Sequence, residues 1–130
     1  MPASTRDEIL ALNQRLLDGI AAGDWKTYEE LCDSSLTCFE PEAHGQLVEG
    51  LAFHRFFFEL GGKPGKATTT MASPHVRMLG EDAAVVSYVR LVEKVTADGN
   101  PVISATEETR VWQRSGGRWR HVHFHRSPVG

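Results

Sequence analysis

The sequence predicts one α+β domain over residues 1–130, with three N-terminal helices packed on a curved antiparallel sheet. Two observations support this. Apolar residues follow helical spacing in the first 60 residues, and four extended segments separated by short turns fill the rest. A chain of 130 residues is ordinary for one domain. It can bury roughly two-thirds of the surface that its unfolded form exposes, so it needs no disulfide or metal to fold.

The first predicted helix carries apolar side chains on one face, at Ile9, Leu12, Leu16 and Ile20. Ser4 or Thr5 can cap its start, and Gly23 can end it. Asp24 can cap a second helix whose inner side holds Trp25, Tyr28, Leu31 and Cys32. A short strand is predicted at 36–39, then a loop over 41–50 and an aromatic third helix over 51–60.

The glycine-rich segment 61–65 breaks the chain before the sheet. The predicted strands cover 67–79, 84–96, 102–114 and 118–126, and turn residues fill each gap. Regular spacing with short turns is typical of an antiparallel meander. A curved sheet over helices encloses a cavity, which is the natural ligand site of such a fold.

Strand alternation places one arginine on an otherwise apolar face of each of the last three strands. The groups are Val86, Tyr88, Arg90 and Val92; Glu108, Arg110 and Trp112; and Val122, Phe124 and Arg126. If these faces turn toward the helices, three guanidinium groups converge on one cavity. Arginine stays charged in proteins, and two such charges about 7 Å apart repel by about 2 kcal/mol at an effective dielectric constant near 20.

Converging arginines therefore need negative partners. Within the chain these are Glu108 and the acids of segment 40–49, in which case the arginines are structural. From outside, a small carboxylate suits planar guanidinium groups. A further alternative is that an arginine at a strand end reaches water.

Charge and composition exclude several classes of protein. The net charge of −3 argues against nucleic acid as a partner. Residues 1–60 carry a net −7 and residues 61–130 a net +4, which indicates attraction between the layers or, alternatively, between subunits or around an anion. No apolar run can span a membrane and no secretory signal is present, so we expect a cytoplasmic protein with no membrane partner. Cys32 and Cys38 are then expected as free thiols.

His121, His123 and His125 alternate along the last strand, on the face opposite Arg126. Zinc could bind such a strand, but a packed cluster at a subunit interface is the interpretation that we prefer, and we expect no metal or cofactor. His54 and Tyr28 are interpreted either as core residues or as donors that line the cavity. The sequence has no kinase catalytic loop, phosphate-binding loop or nucleophile elbow.

Several motifs resemble the association (hub) domain of calcium/calmodulin-dependent protein kinase II. They are Phe39-Glu-Pro-Glu-Ala43, Leu47-Val-Glu-Gly50, Phe53-His-Arg-Phe56, Glu107-Glu-Thr-Arg-Val-Trp112 and Val122-His-Phe-His-Arg-Ser127. The resemblance runs from about Asp7 to Ser127. It implies a nuclear transport factor 2-like cone that forms dimers and then rings. It also implies a carboxylate pocket, whose residues match Tyr28, His54, Arg90, Arg110 and Arg126 here.

We therefore expect a self-associating domain that holds a small anion and has a scaffolding or ligand-sensing role. It is expected to form at least a dimer, with a ring as the larger alternative. No kinase activity is expected from these residues. Segment 61–66 is shorter and richer in glycine than in kinase hubs, which favours the dimer if that segment shapes ring contacts. The alternative is an isomerase or dehydratase with Glu108 or His54 as general base, which requires a raised carboxyl pKa. An arginine beside Glu108 favours the non-catalytic interpretation.

Overall fold

The computed structural model describes residues 4–60 and 67–129. Its helices are α1 (Thr5–Ala22), α2 (Trp25–Leu31) and α3 (Ala52–Leu60), with a 3-10 turn at Pro41–Ala43. Its strands are β1 (Cys32–Phe39), β2 (Val48–Glu49), β3 (Ala67–Met78), β4 (Ala83–Val95), β5 (Pro101–Ser115) and β6 (Arg118–Pro128). The three helices and four long strands confirm the predicted element order. The predicted break at 61–65, and with it the segment 61–66, lies outside the described residues.

Capping residues fix both ends of α1 and the start of α2. The Ser4 side chain accepts a hydrogen bond from the Asp7 amide at 3.2 Å, so Ser4 is the cap of α1. Gly23 ends α1 with φ of 67°, a left-handed conformation that glycine adopts without strain. Asp24 then caps α2 by accepting from the Thr27 amide at 3.2 Å. The chain therefore ends α1 at Gly23 and begins α2 after Asp24, and α2 packs against α1.

The six strands form one sheet in the order β2-β1-β6-β5-β4-β3. Strands β3 to β6 form the predicted antiparallel meander. Strand β1 begins at Cys32, earlier than predicted, and pairs with β6 in parallel. The sheet is therefore mixed rather than wholly antiparallel, because the chain crosses from β1 through α3 before the meander begins. The predicted loop 41–50 also contains the 3-10 turn and β2.

A bulge in β6 corrects one prediction about its faces. Val111 pairs with His123 and Trp112 pairs with His121, so Val122 is an extra residue. His121 therefore turns inward with Phe124 and Arg126, and it is fully buried. The predictions that Val122 shares the face of Arg126, and that His121 shares a face with His123 and His125, were wrong. Simple alternation cannot register a single inserted residue.

A second bulge bends β3 between Ala72 and His75, where Ser73 has a φ of 50° and precedes Pro74. Helix α1 packs against this strand, and the Gln14 side-chain amide donates to the Thr69 carbonyl at 3.1 Å. The core lies between the helices and the inner face of the sheet, and its fully buried members include Leu16, Tyr28, Leu36, Val86 and Trp112. Among the described residues, no helix is both long and apolar enough to cross a membrane.

Candidate functional site

A cavity of about 510 Å³ opens between the helices and the inner face of the sheet. Its walls bring together five of the residues that the sequence selected, namely Tyr28, His54, Arg90, Arg110 and Arg126. Glu108 is buried behind this wall, bonded to two of the arginines. The apolar part of the wall includes Phe57, Phe58 and Phe124. The arginine faces turn toward the helices, an orientation that alternation alone left open.

Glu108 is the centre of a buried hydrogen-bond network. Its Oε1 lies 2.9 Å from Nη2 and 3.0 Å from Nε of Arg110, and it accepts from the Tyr88 hydroxyl at 2.7 Å. Its Oε2 accepts from Thr106 at 3.1 Å and from Arg90 at 3.4 Å. Although burial opposes ionisation, Arg110 and Arg90 lower the pKa of Glu108 to about 2. Glu108 is thus ionised, contacts both buried arginines and compensates one of their two positive charges.

Arg110 is positioned by aromatic side chains as well as by Glu108. Its Cζ lies 4.3 Å from the centre of the Phe124 ring, a cation–π contact. His121 stacks on the same ring, with centroids 5.6 Å apart, and its Nε2 lies 3.4 Å from Nη1 of Arg110. Burial, followed by Arg110, keeps the pKa of His121 well below its ordinary value. A neutral His121 can therefore accept from Arg110 while its Nδ1 faces Cys32 Sγ at 3.3 Å.

Arg126 meets the acids that follow β1. Its Nη2 lies 2.5 Å from the Glu42 carboxylate and 3.5 Å from Glu40 Oε2. At the start of β6, Arg118 pairs with Glu30 of α2 at 3.9 Å. The acidic first half and the basic second half of the chain are therefore joined by ion pairs within one domain.

His54 bridges a thiol and a carboxylate at the cavity wall. Its Nε2 lies 3.6 Å from Cys38 Sγ, and its Nδ1 lies 3.6 Å from Glu40 Oε1. Burial, followed by the charges of Arg110 and Arg126, lowers the pKa of His54 to about 4. His54 is therefore neutral at physiological pH and can donate only one hydrogen bond.

Tyr28 completes the wall from α2. Its ring contacts Phe58, His54 and Trp25, with centroid distances of 5.1, 5.5 and 5.7 Å. Burial, followed by the neighbouring Cys32 thiol, raises the pKa of Tyr28 well above its ordinary value. The phenol is thus a neutral hydroxyl beside the cavity, as well as part of the core.

Three groups of the site were not placed there by sequence reasoning, namely His121, Cys38 and Glu40. His121 was hidden by the bulge at Val122. The sequence predicted Cys38 only as a free thiol; both cysteines are free as predicted, and both are buried. Glu40 was named only among the acids of segment 40–49. Its position two residues after Cys38 and four after Leu36, on the same side of the chain by alternation, is the sequence signal for its partial burial.

Two groups of side chains contain residue types that bind metals, namely the histidines of β6 and the group Cys38, Glu40 and His54. His121 faces inward whereas His123 and His125 do not, so the three do not share the face that zinc binding would need. Ligand atoms of Cys38, Glu40 and His54 lie within 4.8 Å of one another. However, Cys38 and Glu40 approach different nitrogens of the imidazole. His54 separates them, and we do not assign a metal site here.

The same geometry bears on the catalytic alternative. Glu108 does not have the raised pKa that a general base needs, because its two arginines lower its pKa despite burial. Glu40 is the cavity carboxyl whose pKa is raised, by burial first and then by Glu42. Glu40 also contacts Arg126, which makes it a weaker base than an unpaired carboxylate in an apolar wall.

Solved structures define the class of fold. The nuclear transport factor 2 (NTF2-like) superfamily protein from Salmonella enterica superposes with a TM-score of 0.76. The superposition covers 95% of this chain and 90% of that protein, at 23% sequence identity. At this identity the likeness concerns the fold alone. The chain therefore has the nuclear transport factor 2-like fold, with helices packed on a curved mixed sheet.

The family follows from closer matches. Residues 5–130 match the family described as the calcium/calmodulin dependent protein kinase II association domain. The hub homology domain from Chlamydomonas reinhardtii is 53% identical, with a TM-score of 0.91, over 98% of this chain and all of that one. The calcium/calmodulin-dependent protein kinase type II of Caenorhabditis elegans is 46% identical over 125 residues. The chain belongs to the association-domain family of this kinase.

The match with the whole kinase covers little of that protein. It spans 96% of this chain but 17% of the C. elegans relative's length. The rabbit delta subunit is 46% identical over 94% of this chain and 23% of its own length. The likeness is thus to one domain of these kinases.

Proposed function

We propose that this domain self-associates as a hub and that its cavity binds a small carboxylate, in a scaffolding or ligand-sensing role without kinase activity. The proposed carboxylate binding rests on one observation, the convergence of Arg90, Arg110 and Arg126 on one cavity with an aromatic wall. Planar guanidinium groups bind carboxylates through paired hydrogen bonds, and the aromatic wall suits an apolar tail.

The hydrogen bonds of the arginines leave donors for such a ligand. Arg90 Nε is buried and has no acceptor among the residues that the structure describes. Arg110 donates from Nε and from Nη2 to Glu108, and its Nη1 faces Nε2 of His121. A guanidinium group has five N–H donors, so each Nη of Arg110 retains one. These donors support a carboxylate held between Arg110 and Arg126, which line the same cavity.

The binding half is tested by thermal denaturation at pH 6 with propionate and benzoate at 10 mM. We expect both to raise the melting temperature, because a ligand that binds the folded state alone stabilises it. Arg126→Gln should lose most of this shift, whereas Arg55→Gln, which changes an exposed arginine on α3, should keep it. If neither carboxylate stabilises the wild-type protein, the carboxylate function is wrong.

The association half is supported by membership in a family whose name is that of an association domain. We propose a homodimer in the cytoplasm as the basic unit, with a ring as the larger alternative. Light scattering coupled to gel filtration at 1–100 µM tests this directly. A dimer or ring is the expected result, and a monomer at the highest concentration would contradict it.

A further inference from the structure

The charges around the cavity are balanced before any ligand enters. The positive side consists of Arg90, Arg110 and Arg126, and the negative side consists of Glu108, Glu40 and Glu42. His54 is neutral at physiological pH. Glu42 and Lys94 are both exposed at the border of the cavity. Glu42 is counted because it contacts Arg126 directly at 2.5 Å, whereas Lys94 has no ion-pair partner among the described residues and water screens its charge. A bound monocarboxylate would therefore leave this partly buried site with one excess negative charge.

An excess charge in a partly buried site is unfavourable unless a counter-charge or a proton enters with it. The proton would go to the carboxylate that is held most weakly. Glu108 accepts hydrogen bonds from four side chains, and Glu42 contacts Arg126 at 2.5 Å. Glu40 has longer contacts, at 3.5 Å to Arg126 and 3.6 Å to His54. Glu40 is thus the weakest ion-pair member of the three.

The side chains around Glu40 also favour protonation of Glu40 over protonation of Glu42. The charged and titratable groups that face it from the neighbouring elements are Tyr28, Cys38, Glu42, His54, Arg110 and Arg126. Burial, followed by the charge of Glu42, raises the pKa of Glu40, whereas the hydrogen bond and charge of Arg126 lower the pKa of Glu42 despite burial. A carboxylate ligand at Arg126 would add a second like charge beside Glu40.

We propose that Glu40 takes up one proton from water when a monocarboxylate binds, so that the cavity accepts the carboxylate and the proton together. This inference rests on the proposed carboxylate function. Protonated Glu40 can donate its O–H to Nδ1 of His54, whose remaining N–H then lies on the side of Cys38. The same proton weakens the hold of Glu40 on Arg126, which is then available to the ligand.

The direction of the pH dependence follows from the linkage. Glu40 is ionised in the free protein above its pKa and protonated in the complex, so affinity falls as pH rises. Uptake of one proton corresponds to a tenfold loss of affinity per pH unit. Below the pKa of Glu40 in the free protein, the affinity becomes independent of pH. Benzoate remains ionised over the range from pH 5.5 to 8, so its own titration adds little.

The test is isothermal titration calorimetry with benzoate from pH 5.5 to 8, repeated at pH 7 in buffers of different ionisation enthalpy. The wild-type protein should take up close to one proton per benzoate and lose affinity about tenfold per pH unit. Glu40→Gln should bind with nearly constant affinity over this range. At pH 8 it should bind at least tenfold more tightly than the wild-type protein.

Glu59→Gln is the matched control, because Glu59 is an exposed acid on the helix that carries His54. It should reproduce the wild-type slope and proton number. Benzoate binding without proton uptake, or a slope that survives in Glu40→Gln, would overturn the inference and leave the carboxylate function intact. Absence of benzoate binding at every pH would overturn both.

Discussion

At the scale of single residues, Glu108 determines whether the inner face of the sheet can hold arginines. It compensates Arg90 and Arg110 through direct contacts at 3.4 and 2.9 Å, and its side chain is fully buried. Removing one member of such a buried group leaves an uncompensated charge, which typically costs about 3–5 kcal/mol. This makes Glu108 primarily a structural residue, whether or not the cavity binds a ligand.

We therefore predict that Glu108→Gln lowers the free energy of unfolding at pH 7 by about 3–5 kcal/mol. The pKa of Glu108 is about 2 in the folded protein, below the ordinary 4.5, so its stabilisation is present above about pH 4.5. That stabilisation is lost as pH falls through 4.5 toward 2. The difference between the wild-type protein and Glu108→Gln should consequently shrink over this range in urea denaturation curves.

The control for this prediction is Glu107→Gln, the exposed neighbour on the same strand. Its effect should stay within about 0.5 kcal/mol at every pH, as is usual for surface substitutions. A constant difference between Glu108→Gln and the wild-type protein from pH 7 to pH 3 would show that the charge of Glu108 is not what stabilises the fold.

Strand alternation placed Arg90, Arg110 and Arg126 each on an otherwise apolar face, because β4, β5 and the second half of β6 run without interruption past the cavity. It left open whether those faces turn inward. The same argument failed at His121, where one extra residue reverses the faces. For the helix residues Tyr28 and His54, sequence patterns left the core and the cavity wall as alternatives, and only the family resemblance favoured the cavity. Their contacts depend on how the helices pack, which local sequence patterns do not specify.

At the scale of elements, the bulge in β6 decides which side chains the cavity receives. Val122 lies at an irregularity in the pairing of β6 with both of its neighbours, β5 and β1. On the β1 side, four residues separate Cys32 from Thr37, whereas Val122 alone separates their partners His121 and His123. The bulge lets His121 and Phe124 lie on the same side of the strand although three positions separate them.

Deletion of Val122 should therefore be far more damaging than its replacement. Without the extra residue, either His121 turns outward or Phe124 and Arg126 do, and both outcomes expose groups that are now buried. We expect Val122→Ala to cost about 1 kcal/mol or less in unfolding free energy and the deletion to abolish cooperative thermal unfolding. Circular dichroism melting curves of the two variants test this, and a deletion variant that melts like Val122→Ala would contradict it.

At the scale of the whole molecule, the order of helices, the meander and the charge asymmetry were all predictable, because each depends on local patterns. The parallel pairing of β1 with β6 was not predicted. Such a contact joins segments about 85 residues apart, and no local pattern specifies it. The ion pairs between Arg126 and the acids after β1 depend on that same long-range pairing.

The two edges of the sheet set limits on how copies of this chain can associate. One edge is β2, only two residues long, and the other is β3, which is interrupted by the bulge at Ser73 and by Pro74. A proline lacks the N–H that a neighbouring strand would need, and short or bulged edges resist strand addition. Edge-to-edge growth into an open-ended fibre is thereby discouraged. Assembly is directed to the faces of the domain, where a closed and finite particle can form.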